Sequence, residues 1–322
     1  MHQHELAVCG GSGFIGRHLI HALGEDSDAR VRLLVHRHRP SEIHSASNVV
    51  AVPGDLMRAD SLGAFVTTGC TVVNLAYMPA TSRDENLAAM ANLVEACLEA
   101  KVRRMVHVST ATVVGAVSDN VISESTPPDP HTDYERTKLE IERLLAEQGR
   151  NAFELVILRP TAVFGPGGKN LVKLAASLLD GSPLMNYARS CFHGRRKMNL
   201  VCMENVVAAI RFVANTSVAF AGEVFIVSDD DDELNNYRDV ELLLMSRFGR
   251  DDYAVSPVSA PRLLQSTLLR FAGRSNVNPD RVYCSRKLKD AGFKKAVTFA
   301  AGLASFAEWY RQEHGGSLAK TA

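Results

Sequence analysis

The sequence predicts an α/β fold: a doubly wound parallel sheet with a smaller, mostly C-terminal lobe. Three observations predict it. Short, predominantly apolar runs recur in the first half, at 6–9, 31–35, 49–52, 72–76, 105–108 and 155–158. Segments with helical spacing lie between them, and the pattern changes after Pro160. A strand without polar alternation is covered on both faces, and a helix between successive strands makes the connection parallel.

Each element follows from its own pattern. The first helix is expected over 14–23, where Phe14, Ile15, Leu19, Ile20 and Leu23 fall near one face. Further helices are expected over 86–100 and 134–145. Beyond Pro160 a Gly/Pro turn at 165–168 leads into helical segments, with strand-like runs at 198–203 and 223–228 among them. The chain has 322 residues, which is long for one core. The expected division is a sheet domain over 1–165 that also receives elements from about 198–228, and a lobe from 166–197 and 229–322. The acidic run 229–233 is expected to be a solvated loop, because consecutive carboxylates on a loop rarely converge on a metal.

Composition removes several function classes. Lys+Arg and Asp+Glu are equal at 36 each, so nothing pulls the chain toward nucleic acid or an anionic membrane. No stretch approaches a membrane span. Six cysteines, Cys9, Cys70, Cys97, Cys191, Cys202 and Cys284, show neither metal-ligand nor CxxC spacing, which fits a reducing compartment. A strand-like run begins almost at once, with no charged-then-apolar leader. The expectation is a cytoplasmic enzyme with a small-molecule substrate and no metal.

The strongest local signal is Val8-Cys9-Gly10-Gly11-Ser12-Gly13-Phe14-Ile15-Gly16. Gly10, Gly13 and Gly16 follow a strand and open a helix. Glycine permits the tight turn and lets backbone N–H groups approach a pyrophosphate, which the helix N-terminus favours. With this context the loop is a dinucleotide site of Rossmann type. The second strand then ends at Val35 and is followed by His36-Arg37-His38-Arg39, where an NAD site usually carries an acid for the ribose 2′-OH. An arginine fork suits a 2′-phosphate, so NADP(H) is the preferred cofactor and NAD the second choice. His36 and Arg37 are the residues expected there. Asp55, in Gly54-Asp55-Leu56, has two readings: an acceptor for the adenine amino group, or a helix N-cap.

Tyr134 and Lys138 are four residues apart in a helical segment and project from one face. An ammonium beside a phenol, together with a positive nicotinamide, is expected to lower the phenol pKa. Tyr134 would then exchange a proton with a substrate oxygen while hydride moves at the adjacent carbon. Ser109-Thr110 ends the fifth strand, where a parallel sheet carries its ligands and a hydroxyl can donate to an oxyanion.

With these residues the chain resembles an extended short-chain dehydrogenase/reductase of the NAD-dependent epimerase/dehydratase family. Further matching pieces are Asn74-Leu75-Ala76, Asn86, 92–97, 106–115, Leu158-Arg159-Pro160, Phe164-Gly165-Pro166 and Glu204-Asn205-Val206. The resemblance implies that Thr110, Tyr134 and Lys138 form the catalytic triad and that Lys138 holds the nicotinamide ribose. It also implies that Gly10, Gly13, Phe14, Ile15, Gly16, Asp55, Leu56, Ala76 and Pro160 line the cofactor. The region after Gly165, Asn170 included, is implied as substrate pocket, and a homodimer through a four-helix bundle is implied as assembly.

Departures narrow the substrate. The family's sugar 4,6-dehydratases carry an Asp-Glu pair where this chain has Ala111-Thr112, so water elimination lacks its proton carriers. Met198 stands where nucleotide-sugar members often have an arginine, preceded by Arg195-Arg196-Lys197. Arg195 and Arg196 are either a diphosphate clamp or an exposed loop. The stretch 195–207 resembles nucleotide-sugar 4-ketoreductases, and its Met-Glu-Asn-Val-Val piece resembles 3β-hydroxysteroid dehydrogenases. The expected function is therefore a reductase or dehydrogenase of an activated sugar, against a 4-epimerase, a steroid-dehydrogenase-like enzyme and a non-catalytic NADP sensor. Among other residues, His107 is read as core, Arg159 as a structural pair, and Trp309 with Tyr310 as lobe packing. His36, His38 and His44 show no ligand spacing.

Overall fold

A computed structural model describes residues 4–26, 28–37, 47–220, 222–262, 265–267 and 278–314. Thus His38, Arg39 and His44 lie outside the described residues. The strands β1 (His4–Cys9), β2 (Ala29–Val35), β3 (Val49–Pro53), β4 (Thr71–Asn74), β5 (Arg104–Val108), β7 (Glu154–Pro160) and β10 (Glu223–Val227) form one sheet in the order β10-β7-β5-β4-β1-β2-β3. The registered pairs, such as Leu6 with Val31 and Val73 with Val106, are parallel. This is the Rossmann-type α/β sheet that the apolar runs predict. All residues of β4 and β5 are buried, which is why neither shows polar alternation.

The order reverses between β1 and β4. Chain leaving these two strands in opposite lateral directions opens a crevice at their C-terminal ends. Helix α1 (Phe14–Gly24) covers the sheet with Leu19, Ile20 and Leu23. Helices α2 (Arg83–Glu99) and α3 (Asp133–Gln148) cover it further along and pack on each other. Both begin with a capping box, Ser82 with Glu85 and Thr132 with Glu135, each satisfying two otherwise orphan N–H groups. The second box fixes the start of α3 two residues before Tyr134. Beneath α2 and α3 the core joins Cys9, Phe65, Val72, Leu93, Met105, Ile141 and Ile157.

Arg159 pairs with Glu142 through two hydrogen bonds, Nε–Oε1 at 3.0 Å and Nη2–Oε2 at 2.5 Å, both side chains buried. The structural reading of Arg159 holds. Replacing Arg159 with leucine strands a buried carboxylate, and the expected cost is about 3–5 kcal/mol. Urea unfolding of R159L, against a double variant that also carries Glu142→Leu and recovers part of the loss, checks it.

Contacts divide the chain into two units. The first holds Met1–Val113, Pro130–Pro160 and Val207–Phe225; the second holds Val114–Asp129, Thr161–Val206 and Ile226–Ala322. The expected boundary at 165 thus compares with 160, and the return near 198–228 with 207–225. In the second unit β8 (Ala162–Phe164) pairs with β9 (Leu200–Cys202), and β6 (Val121–Ile122) with β11 (Val282–Tyr283). Helices α4 (Val172–Asp180), α5 (Pro183–His193), α7 (Tyr237–Arg247), α8 (Arg286–Asp290) and α9 (Phe299–His314) accompany them. Its core gathers Phe164, Leu200, Val240, Leu244, Phe299, Leu303 and Phe306. Tyr310 is buried there and Trp309 packs against it, as expected. Helix α6 (Met203–Asn215) begins in the second unit and ends in the first.

The acidic run corrects an expectation. Asp229 and Asp230 are buried, not solvated. Asp229 accepts from the Cys202 N–H and Asn205 and pairs with Lys295; Asp230 accepts from Asn199, Asn235 and the Tyr283 N–H. Donors distant in sequence replace the water that such carboxylates need. The six cysteines are free thiols, and Cys9, Cys70, Cys97 and Cys202 are buried. Among the described residues no helix is long and apolar enough to cross a membrane.

Candidate active site

The crevice is built from tight backbone. Gly10 has φ +83°, and a Cβ there would sit 2.7 Å from the Ala76 nitrogen on the chain leaving β4. A Cβ on Gly16 would lie 2.6 Å from the Gly11 Cα and closer still to the Gly10 carbonyl. Gly13 N–H closes the turn on that carbonyl at 3.1 Å. Gly13 is also the N-cap of α1, so no side chain caps Phe14 and Ile15 in the first turn. These are the requirements of a backbone anion cradle at a helix start, and a pyrophosphate fits them.

One groove is lined by Gly10–Gly13, His36, Arg37, Gly54–Leu56 and Leu75–Met78. It brings together the expected residues Gly10, Gly13, His36, Arg37, Asp55, Leu56 and Ala76. His36 Nε2 lies 3.4 Å from Asp55 Oδ2. Asp55 Oδ1 accepts from the Met57 N–H at 3.0 Å, a local turn, and the short helix that follows starts only at Ala59. The N-cap reading is therefore corrected: Asp55 caps a turn and its second oxygen faces His36. Leu56 is anchored through its carbonyl by Asn92. Pro160 ends β7.

Thr110, Tyr134 and Lys138 come together beside the C-terminal end of β5. The Tyr134 phenol faces the Thr110 side chain, which favours its ionised form. Thr110 Oγ1 also lies 3.0 Å from Thr112 Oγ1. The Tyr134 side chain stays open to a ligand, at 42 % exposure, whereas Lys138 is 3 % exposed. Lys138 Nζ donates to the Val108 carbonyl at 2.9 Å. Burial pushes its ammonium down to about 8, with Glu142 opposing.

The protein groups alone do not depress the Tyr134 phenol. Burial pushes the phenol above its ordinary value, Thr110 pulls it down, and Tyr77 and Glu135 add to the rise. The cause is where the ammonium goes: it turns into the sheet, to the Val108 carbonyl, and lies 5.6 Å from the Tyr77 ring centroid.

Tyr77 itself was not anticipated from the sequence. Its ring meets Tyr134 edge to face, with centroids 5.1 Å apart. No spacing signal links residues 77 and 134; packing of α3 beside the chain after β4 creates the pair. Asn74 and Asn86 are also functional in a local sense. Asn74 Oδ1 accepts from the Ala76 N–H, and Asn86 holds both the N–H and the carbonyl of Met78. His107 is wholly buried, its Nδ1 3.1 Å from Asn74 Nδ2, consistent with a core role. Burial holds it well below the ordinary histidine range, Lys138 adding to the effect.

In the second unit Asn170 Nδ2 donates to the Val163 carbonyl, and Arg195 pairs with Asp239 at 2.9 Å. The Arg196 N–H bonds the His193 carbonyl. Ala111 is buried, and Thr112 turns its hydroxyl to Thr110.

A profile of the NAD-dependent epimerase/dehydratase family matches residues 6–228. The chain belongs to that family. It is an enzyme of the extended short-chain dehydrogenase/reductase type, as its motifs imply. A UDP-glucose 4-epimerase of Vibrio cholerae is 28% identical over 242 residues, covering 70% of this chain and 71% of the epimerase. A 3beta-hydroxysteroid-dehydrogenase/decarboxylase of Arabidopsis thaliana is 27% identical over 239 residues, covering 67% of this chain and 54% of that protein. The chain thus spans about half the length of that second relative. A UDP-glucuronic acid 4-epimerase of Bacillus cereus, solved with UDP-glucuronic acid and NAD, superposes with a TM-score of 0.72 at 22% identity, over 96% of this enzyme and all of that chain.

Proposed function

We propose that this enzyme moves hydride between NADP(H) and a hydroxyl or keto carbon of a nucleotide-activated sugar, acting as a ketoreductase. The observation that carries the reading is the gathering of Tyr134 and Lys138 around Tyr77, a residue that itself lines the glycine-walled groove. Gly10, Gly13, Phe14, Ile15 and Gly16 would hold the pyrophosphate, His36, Arg37, Asp55 and Leu56 the adenosine end, and Ala76, Lys138 and Pro160 the nicotinamide end. The bound nicotinamide supplies the hydride. Tyr134 gives its proton to the substrate oxygen as that oxygen gains charge, and Thr110 donates a hydrogen bond to the same atom. A phenol is protonated at neutral pH, so Tyr134 has a proton to give in the reductive direction. Ala111 and Thr112 offer no acid-base pair for elimination. Asn170, Arg195 and Arg196 are proposed for the substrate on chemistry, since arginine forks suit a diphosphate; Arg195 would exchange Asp239 for it. A cytoplasmic homodimer completes the reading, by resemblance. Screening nucleotide 4-keto-sugars for NADPH oxidation tests it, and no oxidation with any of them overturns the substrate class.

The NADP preference rests on Arg37, which lines the groove, and on the absence of an acid at the end of β2. Replacing Arg37 with alanine is expected to weaken NADPH binding roughly 10-fold or more, the worth of one charge-assisted hydrogen bond, and to leave NADH within about 2-fold. Fluorescence titration with both cofactors measures it.

A second reading, 4-epimerase, is favoured by the likeness to the Vibrio cholerae enzyme. It requires tightly retained NAD and sugar interconversion without added cofactor.

A further inference from the structure

The chain after β4 passes Tyr77 between two fixed points. On one side Asn74 Oδ1 takes the Ala76 N–H at 3.0 Å, and Asn74 is itself held by the Cys9 thiol and lies 3.1 Å from His107 Nδ1. On the other, Asn86 binds both backbone groups of Met78 at 3.0 Å. The backbone of Tyr77 is therefore clamped, and its ring has little choice of position. That ring touches both proton-handling groups. It meets the Tyr134 ring at 83°, and the Lys138 ammonium lies 5.6 Å from its centroid.

We infer that Tyr77 is a positioning residue: its clamped ring orients Tyr134 toward Thr110 and carries the Lys138 ammonium on its π-face. The buried ammonium has the Val108 carbonyl as its backbone acceptor. An aromatic face supplies part of the solvation that burial removes. The other groups facing Lys138 are Glu142 on α3 and His107 on β5; Glu142 is tied to Arg159 of β7. None of these sits where the Tyr77 ring does. The edge-to-face contact meanwhile leaves the Tyr134 phenol facing Thr110. The action belongs to the ring, not to the Tyr77 hydroxyl.

The inference rests on the proposed roles of Tyr134 and Lys138, and it is tested in the cofactor-free protein without turnover. Lysine Cε titration by NMR is assigned to residue 138 with Lys138→Met. Phenolate absorbance is assigned to residue 134 by difference from Tyr134→Phe. In Tyr77→Leu the Lys138 midpoint is expected to fall by about half a unit to one unit, the worth of a lost cation–π contact. The Tyr134 midpoint is expected to rise, because a phenol no longer held toward Thr110 loses the interaction that lowers it. Tyr77→Phe is expected to restore both. Tyr77→Met serves if the leucine variant does not fold. Unchanged midpoints in Tyr77→Leu overturn the inference, as does Tyr77→Phe shifting as far as Tyr77→Leu. Failure of the hydride-transfer reading shows elsewhere, as a Tyr134→Phe enzyme that still turns over.

Discussion

Tyr134→Phe is expected to lower kcat for NADPH-dependent reduction by roughly 100- to 10,000-fold, the range of general acid catalysis. The ring, its contact with Tyr77 and the capping box that starts α3 all survive the change. NADPH affinity should therefore stay within about 2-fold, and the melting curve should not move. A loss confined to kcat with binding intact marks an interaction made in the transition state. The wild-type pH profile carries the same message. The proton donor must be protonated, and burial pushes its pKa up, so the reductive rate should hold through neutral pH. It should begin to fall as pH rises through about 8, where Lys138 discharges, and fall further as the phenol ionises. A profile that rises with pH over that range sinks the donor assignment.

Gly16→Ala is expected to cost both stability and cofactor. The new methyl meets backbone, with the Gly11 Cα at 2.6 Å and the Gly10 carbonyl closer, so no side-chain rotation relieves it. Overpacking of this kind costs about 1–3 kcal/mol. The shift that accommodates it moves the Gly10–Gly13 turn away from the uncapped start of α1. Losing one or two charge-assisted backbone hydrogen bonds weakens NADPH by roughly 100-fold. Calorimetric titration and urea unfolding of the same preparation separate the two effects. Wild-type affinity in G16A would show that the pyrophosphate does not use this loop.

Much of the fold was legible because the physics is local. Strands buried on both faces, such as β4 and β5, are mostly apolar, and the runs at 72–76 and 105–108 are broken only by Asn74 and His107, whose buried side chains lie 3.1 Å apart. Gly10 and Gly16 are demanded by backbone approaching backbone, so their spacing survives in the sequence. Tyr134 and Lys138 share a helix, and four residues put them on one face. What escaped is what tertiary packing decides. Lys138 turns to Val108 rather than to its helical neighbour, and burial instead sets the direction of the Tyr134 shift. Tyr77 acquires its partners from a helix more than fifty residues on. Asp229 and Asp230 read as a solvated run because their donors, Asn199, Asn205 and Asn235, carry no periodic signal.

The chain passes between its two units five times, at 113/114, 129/130, 160/161, 206/207 and 225/226. Neither unit is a contiguous stretch of gene. A single crossover between related genes therefore severs at least one unit, and no one splice exchanges the second unit intact. Exchanging either unit whole between related genes takes five crossovers at once, one at each of these passages.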